Sequence, residues 1–515
     1  MLHEASFSCQ TAVQKNSFIE VTLLSSQHQT PLFDGLKQHA AKQTVPFHIP
    51  GHKRGTGMDP EFRHFIGENL LSIDQINIEP LDDLHHPHGI IDEAQKLAAE
   101  AFSSDYTFFS VQGTSGAIMS MIMAVCGPND KIIVPRNVHK SIMSAVVFSG
   151  AKPVFIHPEL DRDLGISHGV SVNSVAKAIR NHEDAKALLM INPTYFGISA
   201  DLETIVETAH HYNIPVLVDE AHGVHIHFHE ELPVSAMQAG ADMSATSVHK
   251  LGGSLTQSSV LNVQGELISR SRVQTVMSML TTTSTSYPLL ASLDTARRYL
   301  AVNGRQALTN TIKLAEDTRK QLNAIPGIYC PGRELLDGKT RFDFDPTKLI
   351  ISLRDLQIDG YQIEQELRRE YNIEVELSDL YNLLCILTPG DTEKTAGRLV
   401  QAIKQIAAKY FRAEKPVTDQ LNVDIPNIPI LTLSPREAFY SETEIVPLTE
   451  SAGRISAEFI MIYPPGIPIF IPGEIIENEN IDYILKNKES GLPVQGLEDT
   501  TLKNIRVIRR QEAIR

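Results

Sequence analysis

Between residues 106 and 218 the hydrophobic positions fall into short unbroken runs separated by segments of helical period. Tyr106 to Val111, Lys131 to Val134, Pro153 to Ile156, Ala187 to Ile191 and Pro215 to Val218 read as strands. Ala117 to Cys126, His139 to Phe148, Val172 to Asn181 and Leu202 to His211 read as the helices between them. Strands that are apolar throughout are covered on both faces, the arrangement that right-handed βαβ crossovers produce, so this region predicts a mostly parallel α/β sandwich. Upstream, Leu32, Phe33 and Leu36 share one helical face, and Ile91 to Phe102 reads as an amphipathic helix. From Leu349 the period changes. A strand (Leu349 to Leu353), a helix (Tyr361 to Tyr371), two short strands (Ile373 to Leu377, Leu383 to Leu387) and a long helix (Thr392 to Phe411) describe a compact α+β unit. A charged, proline-bearing stretch from Arg412 to Pro429 leads to a last domain, expected to be α+β. Its Tyr463-Pro464-Pro465-Gly466-Ile467-Pro468 and Ile471-Pro472-Gly473-Glu474 segments should resist regular ladders because proline lacks a donor. The expected division is an arm over 1–30, loosely held, a large domain over 31–335, a small α+β domain over 336–412 and a C-terminal domain over 413–515.

Composition narrows the function classes. The 515 residues are 42% hydrophobic and 21% charged, as in an ordinary globular protein. The formal net charge of −16, with no dense basic tract, argues against a nucleic-acid partner. The four cysteines, Cys9, Cys126, Cys330 and Cys385, lack paired spacing, which fits a reducing compartment. No apolar run approaches the roughly 18 to 20 residues of a membrane span, and the N-terminus lacks the pattern of a signal peptide. A cytoplasmic protein with no membrane partner is expected.

The chemistry gathers around Ser247-Val248-His249-Lys250-Leu251-Gly252-Gly253 and Val218-Asp219-Glu220-Ala221-His222. Alone, a lysine is more often a solvated surface charge. Here it follows a short apolar run, with small residues after it and an acid ending an upstream strand, which is what pyridoxal 5'-phosphate (PLP) requires. The lysine amine takes the cofactor aldehyde, and the acid keeps the pyridine nitrogen protonated. Asp219 ends a fully apolar strand, a costly place for a carboxylate without a cation, and a pyridinium is such a cation. Gly113-Thr114-Ser115-Gly116 joins a strand to a helix and offers backbone N–H groups and hydroxyls to an anion, although a plain helix cap would look the same. His139, at the end of the next strand, can lie on the cofactor ring or merely begin a helix. Asn192-Pro193-Thr194-Tyr195-Phe196-Gly197 brings hydroxyls, including that of Thr194, to the same edge. Ser247 and His249 flank Lys250 and can reach the phosphate.

Two histidine groups, His222, His225, His227, His229 and His85, His86, His88, lack the two-part spacing of a metal site, and no metal is expected. They read as lining the cleft. The loop Phe47 to Gly55 is rich in Gly, Pro and basic residues, which makes His52 a candidate toward substrate. Glu458 and Glu474 of the last domain are candidates to hold a cationic substrate end.

Taken together, Gly113-Thr114-Ser115, Arg136-Asn137-Val138-His139-Lys140-Ser141, Asp219-Glu220-Ala221-His222-Gly223, Ser247-Val248-His249-Lys250 and the Tyr-Pro-Pro-Gly-Ile-Pro segment resemble the ornithine/lysine/arginine decarboxylases of PLP fold type I, the aspartate-aminotransferase-like fold. The resemblance runs from about Thr30 to about Glu474 and looks strongest toward the compact biosynthetic arginine decarboxylases of Gram-positive bacteria. It implies cofactor attachment at Lys250, pyridinium pairing at Asp219, ring stacking by His139, and phosphate contacts from Thr114, Ser115, Ser247 and His249. Gly113, Thr194, Ala221 and His222 complete the cofactor set. It also implies that Thr285 and Ser286, within Thr283-Ser284-Thr285-Ser286-Tyr287-Pro288, reach the cofactor phosphate of a neighbouring subunit, so that a homodimer is the smallest active unit. The implied reaction is decarboxylation of L-arginine to agmatine and CO2, in polyamine biosynthesis. Lysine or ornithine decarboxylation is the nearest alternative. A transaminase or β-eliminase would need an arginine for the substrate carboxylate, for which Arg354 is the small-domain candidate, and a catalytically silent regulatory homologue is the rival from another class.

Overall fold

The computed structural model describes residues 26–412, 426–462, 467–489 and 494–510. The chain enters on α1 (Pro31–Ala41), whose proline at the first turn costs no helical hydrogen bond. It then passes through two short helices to α2 (Ile90–Ala101). The expected alternation follows: β1 (Tyr106–Ser110), α3 (Gly113–Val125), β2 (Lys131–Pro135), α4 (Lys140–Ser149), β3 (Lys152–Ile156), α5 (Val172–Asn181), β4 (Ala187–Ile191), α6 (Leu202–His211) and β5 (Val216–Asp219). Next come β6 (Met243–Thr246), the short α7 (Val248–Leu251) and β7 (Ser259–Val263).

These strands form one seven-stranded sheet in the order β1-β7-β6-β5-β4-β2-β3. The five strands from β6 to β3 run parallel, while β7 is antiparallel to both neighbours. Separate apolar cores cover its two faces, one around α3 and α4 and one around α5 and α6. The parallel strands therefore end together at one edge, where Asp219 and the residues before α3, α4 and α7 are gathered.

Several expectations change. A helix of 37 residues, α8 (Tyr287–Asn323), occupies a stretch to which the sequence pattern assigned no element. Pro288 falls in its first turn, where proline is tolerated, and Ser286 is its N-cap residue. The second half of α8, from Ala315 to Leu322, packs in the core of the α+β unit, which therefore draws on residues before 336. That unit is built on β8 (Lys348–Ser352), α9 (Gly360–Glu366, continued as a π turn to Tyr371), β9 (Asn382–Ile386) and α10 (Glu393–Tyr410). The strand expected at Ile373 to Leu377 shrinks to Leu377–Ser378. The end of the arm is not loose: Arg297 donates to the carbonyls of Gln27 and Gln29, at 2.7 and 2.6 Å, and Gln27 and Thr30 are buried. The rest of the arm, most of the 412–429 stretch and residues 463–466 lie outside the described residues.

In the C-terminal domain, Ile467–Phe470 is a strand despite Pro468, paired with Ile460–Ile462 across an irregular register. It lies at the edge of its three-stranded sheet, where a missing donor is harmless, and the carbonyls of Pro468 and Ile469 accept instead from the Arg136 guanidinium.

Candidate cofactor and active site

The short helix α7 sets Lys250 at the sheet edge, with Ser247 as its N-cap residue. Lys250 is exposed, yet enough protein surrounds its amine that desolvation lowers its pKa, opposed by the charges of Asp219 and Glu376. Its amine lies 2.8 Å from His222 Nε2. Asp219 closes β5, is 5% exposed and accepts from Ala221 N–H at 3.1 Å. Burial pushes its pKa up to about 6, only partly offset by that bond and by Lys250. A carboxylate so placed lacks a strong cationic partner, and a pyridinium would supply one.

On the same sheet edge, Gly113 opens α3 at φ 68°, a left-handed conformation that disfavours a side chain. The hydroxyl of the next residue, Thr114, bonds that of Ser247 and, at 2.8 Å, that of Ser259. Three hydroxyls thus converge beside the N-terminus of a 13-residue helix, on a spot suited to a phosphate. Ser115 follows in the same first turn. His249 donates from Nδ1 to the Ser258 carbonyl at 2.8 Å, which anchors its ring at this end.

His139 caps α4, its Nδ1 accepting from Ser141 N–H at 3.2 Å with the Ser141 hydroxyl 2.8 Å away. Its pKa is lowered by burial and then by Lys250 and Lys140, which places a neutral imidazole beside the lysine. Thr194 uses its hydroxyl to accept from Ile198 N–H, holding the β4 turn, while Tyr195 meets His222 edge-on with ring centroids 4.4 Å apart. The donor set fits PLP: a lysine, a buried acid, a hydroxyl and amide cradle, and an imidazole.

Three participants carry no signal in the sequence pattern. Ser259 completes the hydroxyl cluster from β7. Glu376, whose carboxylate accepts from Tyr195 OH at 2.5 Å, bears electrostatically on Lys250 from the α+β unit. Lys348, from the start of β8, places its amine 3.0 Å from His222 Nδ1. Lys348 stands 126 positions from that histidine, so no spacing pattern marks it.

Other candidates lie elsewhere. His52 is held by Gly55 N–H of its own loop at 3.2 Å and by Asp74, beyond the next two short helices, at 3.1 Å. Glu474 is not free for substrate: it is 0% exposed and engages Arg136 through both oxygens, at 2.6 and 2.8 Å. Glu458 likewise accepts from the backbone N–H groups of Glu498 and Arg506, each at 2.7 Å. Both acids, offered as substrate contacts, instead satisfy buried donors of the C-terminal domain and its junction. Arg354, the small-domain candidate for a carboxylate clamp, donates to the Arg162 carbonyl and stacks on Tyr381. Thr285 and Ser286 stand at the start of α8, beside the His85 loop, where Tyr287 OH donates to the Asp82 carbonyl at 2.6 Å.

Nor do the histidine groups act as sets. His225 pairs with Asp345, His227 with Ser235, His229 with Thr309, and His85 with Ser278 and the Thr282 carbonyl. Of these, only His222 touches Lys250.

The chain is similar to known proteins along most of its length. The family model described as Orn/Lys/Arg decarboxylase, major domain, matches residues 30–395, and that for the Orn/Lys/Arg decarboxylase C-terminal domain matches residues 426–501. The chain is 66% identical over 490 residues to an arginine decarboxylase of Bacillus subtilis, spanning 95% of this chain and 100% of that protein. It is 25% identical over 555 residues to a lysine decarboxylase of Pseudomonas aeruginosa, spanning 86% of this chain and 73% of the other. Its fold resembles the crystal structure of a lysine decarboxylase from Francisella novicida, with a TM-score of 0.80 at 24% identity, over 96% of this chain and 84% of that one.

Proposed function

The chain belongs to the Orn/Lys/Arg decarboxylase family, and on that premise we propose that it decarboxylates L-arginine to agmatine and CO2 with PLP held at Lys250. The observation that carries the reading is the meeting of the Lys250 amine, the buried Asp219 carboxylate and the Thr114, Ser247 and Ser259 hydroxyls at one sheet edge. Arginine is preferred because the relative of 66% identity, matched along its whole length, is named for that substrate, whereas the lysine-named relative is far more distant.

When bound, the cofactor supplies an electron sink for the pair left behind by departing CO2. The rest is done by this chain. Asp219 holds a proton on the pyridine nitrogen by offering a buried negative charge that nothing else in the cleft neutralises fully. The α3 N-terminus and its hydroxyls would hold the phosphate and so fix the orientation of the bound group. His139, being neutral, would shield the site from water without adding a competing charge. The Lys250 side chain, in its ammonium form favoured by Asp219 and Glu376, would be the group placed to deliver the proton that replaces CO2 at the substrate α-carbon.

The active unit in this reading is a homodimer in which Thr285 and Ser286 reach the partner's phosphate site. Their position at the start of α8, beside the His85 loop rather than in the Lys250 cluster, supports it. Measuring CO2 release from arginine, lysine and ornithine in parallel tests the substrate. Arginine is expected to give the highest kcat/KM, by about tenfold or more if a desolvated guanidinium contact worth roughly 1–3 kcal/mol is lost with the other substrates. A lysine value equal to or above that of arginine overturns the choice of substrate.

A further inference from the structure

His222 stands between two lysines. Its Nε2 is 2.8 Å from Lys250 Nζ and its Nδ1 is 3.0 Å from Lys348 Nζ. Lys348 is 0% exposed, and its stem passes over Gly197, where a Cβ would lie only 2.7 Å from Lys348 Cγ and the φ of 84° also favours glycine. Burial lowers the Lys348 pKa to about 8, opposed by the charges of Asp345 and Glu376 and reinforced by Lys250, and the Asp345 carboxylate is already engaged by His225 Nε2, Thr347 N–H and the Thr347 hydroxyl. Burial, then Lys348 and Lys250, holds His222 well below its ordinary pKa, so its ring is neutral.

A neutral imidazole carries one N–H. The nitrogen bearing it donates, and can do so only to a lysine with a free lone pair. The bare nitrogen accepts from the other lysine. With both bonds made, at least one of the two lysines is therefore an uncharged amine. A charge on Lys348 makes Nδ1 the acceptor, puts the ring proton on Nε2 and leaves Lys250 as the free amine.

We propose that Lys348 is a positioning residue which, through the tautomer of His222, holds Lys250 as a free amine ready to take the cofactor aldehyde. This deepens the assignment of Lys250 as the cofactor lysine and rests on it. The proton count balances. Lys348 as an ammonium donates to Nδ1, and Nε2–H donates to the Lys250 lone pair. Moving one proton from Lys348 to Nδ1 and one from Nε2 to Lys250 exchanges the charge between the lysines without changing the total. The other titratable groups facing Lys250 are Asp219 and Glu376, which favour its ammonium form, and His139, which is neutral. Without Lys348 the two carboxylates would be opposed only by the desolvation of the Lys250 amine.

The test compares Lys348→Met with Lys348→Arg in the full chain stripped of cofactor. Limiting acetic anhydride labels free amines, and mass spectrometry follows the Lys250 peptide against pH. Lys348→Met frees His222 Nε2 to accept from a charged Lys250, so the labelling midpoint should rise. Labelling at neutral pH should then fall about tenfold for every pH unit by which the midpoint rises. An arginine does not give up its proton, so Lys348→Arg should keep the midpoint at or below that of the wild type. A residue needed only for packing would move both variants the same way. Lys348→Gln, neutral and shorter, replaces the methionine variant if that does not fold. An unchanged midpoint in the neutral variant, or equal changes in the neutral and arginine variants, overturns the proposal. Adding PLP to the stripped wild type separates the two readings: absence of the visible absorbance of lysine-bound pyridoxal sinks the cofactor assignment, while labelling still decides the role of Lys348.

Discussion

At the scale of single residues, two side chains carry most of the proposed chemistry and fail in different ways. Lys250→Ala removes the amine placed to hold the cofactor, so turnover should fall to background and the visible absorbance should vanish with the fold intact. Circular dichroism with CO2 release checks both. Asp219 has a consequence for stability as well as turnover. Its folded pKa of about 6 lies above the ordinary value of 3.8, so its contribution to stability is fully present below about pH 4 and is lost as pH rises through about 6. Above that pH the cofactor-free protein carries a buried charge with a penalty of ~1–3 kcal/mol, which Asp219→Asn should relieve while keeping the bond from Ala221 N–H. The variant stripped of PLP should therefore melt higher than wild type at pH 7.5 and no higher at pH 4. With PLP present it should turn over at least ~10²-fold more slowly, since a fixed charge aimed at the reacting system is gone. Equal melting temperatures at pH 7.5 would show that Asp219 is neutralised by some group other than the cofactor.

At the scale of elements, α8 joins two tasks. Its first turns set Thr285 and Ser286 beside the His85 loop, and its last turns enter the core of the α+β unit. If the start of α8 completes a partner's site, Lys250→Ala subunits and Thr285→Ala/Ser286→Ala subunits, each inactive alone, should regain activity on mixing. Up to about a quarter of wild-type activity is the statistical ceiling when half the subunits pair as heterodimers with one intact site each. Absence of any recovery in a mixture shown to exchange subunits would refute the shared site.

At the scale of the whole molecule, the large and C-terminal domains are joined by a fully buried ion pair. Arg136, from the end of β2, donates to both Glu474 oxygens and to the carbonyls of Pro468 and Ile469, and Glu474 also accepts from Ile471 N–H. Such a pair need not add net stability, but removing one member strands the other charge. Glu474→Gln should destabilise the chain by ~3–5 kcal/mol, seen as a lower denaturant midpoint, whereas loss of substrate affinity with unchanged stability would return Glu474 to the active site.

The strands from Tyr106 to Asp219, the helices between them and the proposed cofactor lysine with its acid were legible because each signal is local: apolar runs, helical period, and a Lys or Asp at the end of a strand. The same locality explains what was missed. The antiparallel β7 and its Ser259 become part of the site only through pairing with β1 and β6, which no run of residues announces. The long α8 was hidden because its opening motif resembles a phosphate-reaching segment and its polar surface weakens the apolar period. The acids Glu458 and Glu474 looked available because charge is visible in sequence, whereas the donors that occupy them come from residues 40 and 338 positions away. Local order follows from backbone sterics and side-chain period, so the sequence by itself determined the α/β framework and the lysine and acid at its edge. Hydrogen bonds and ion pairs between distant segments depend on where the folded chain brings them, so only the tertiary structure decided that Glu474 serves a domain junction and that Lys348 meets His222 beside Lys250.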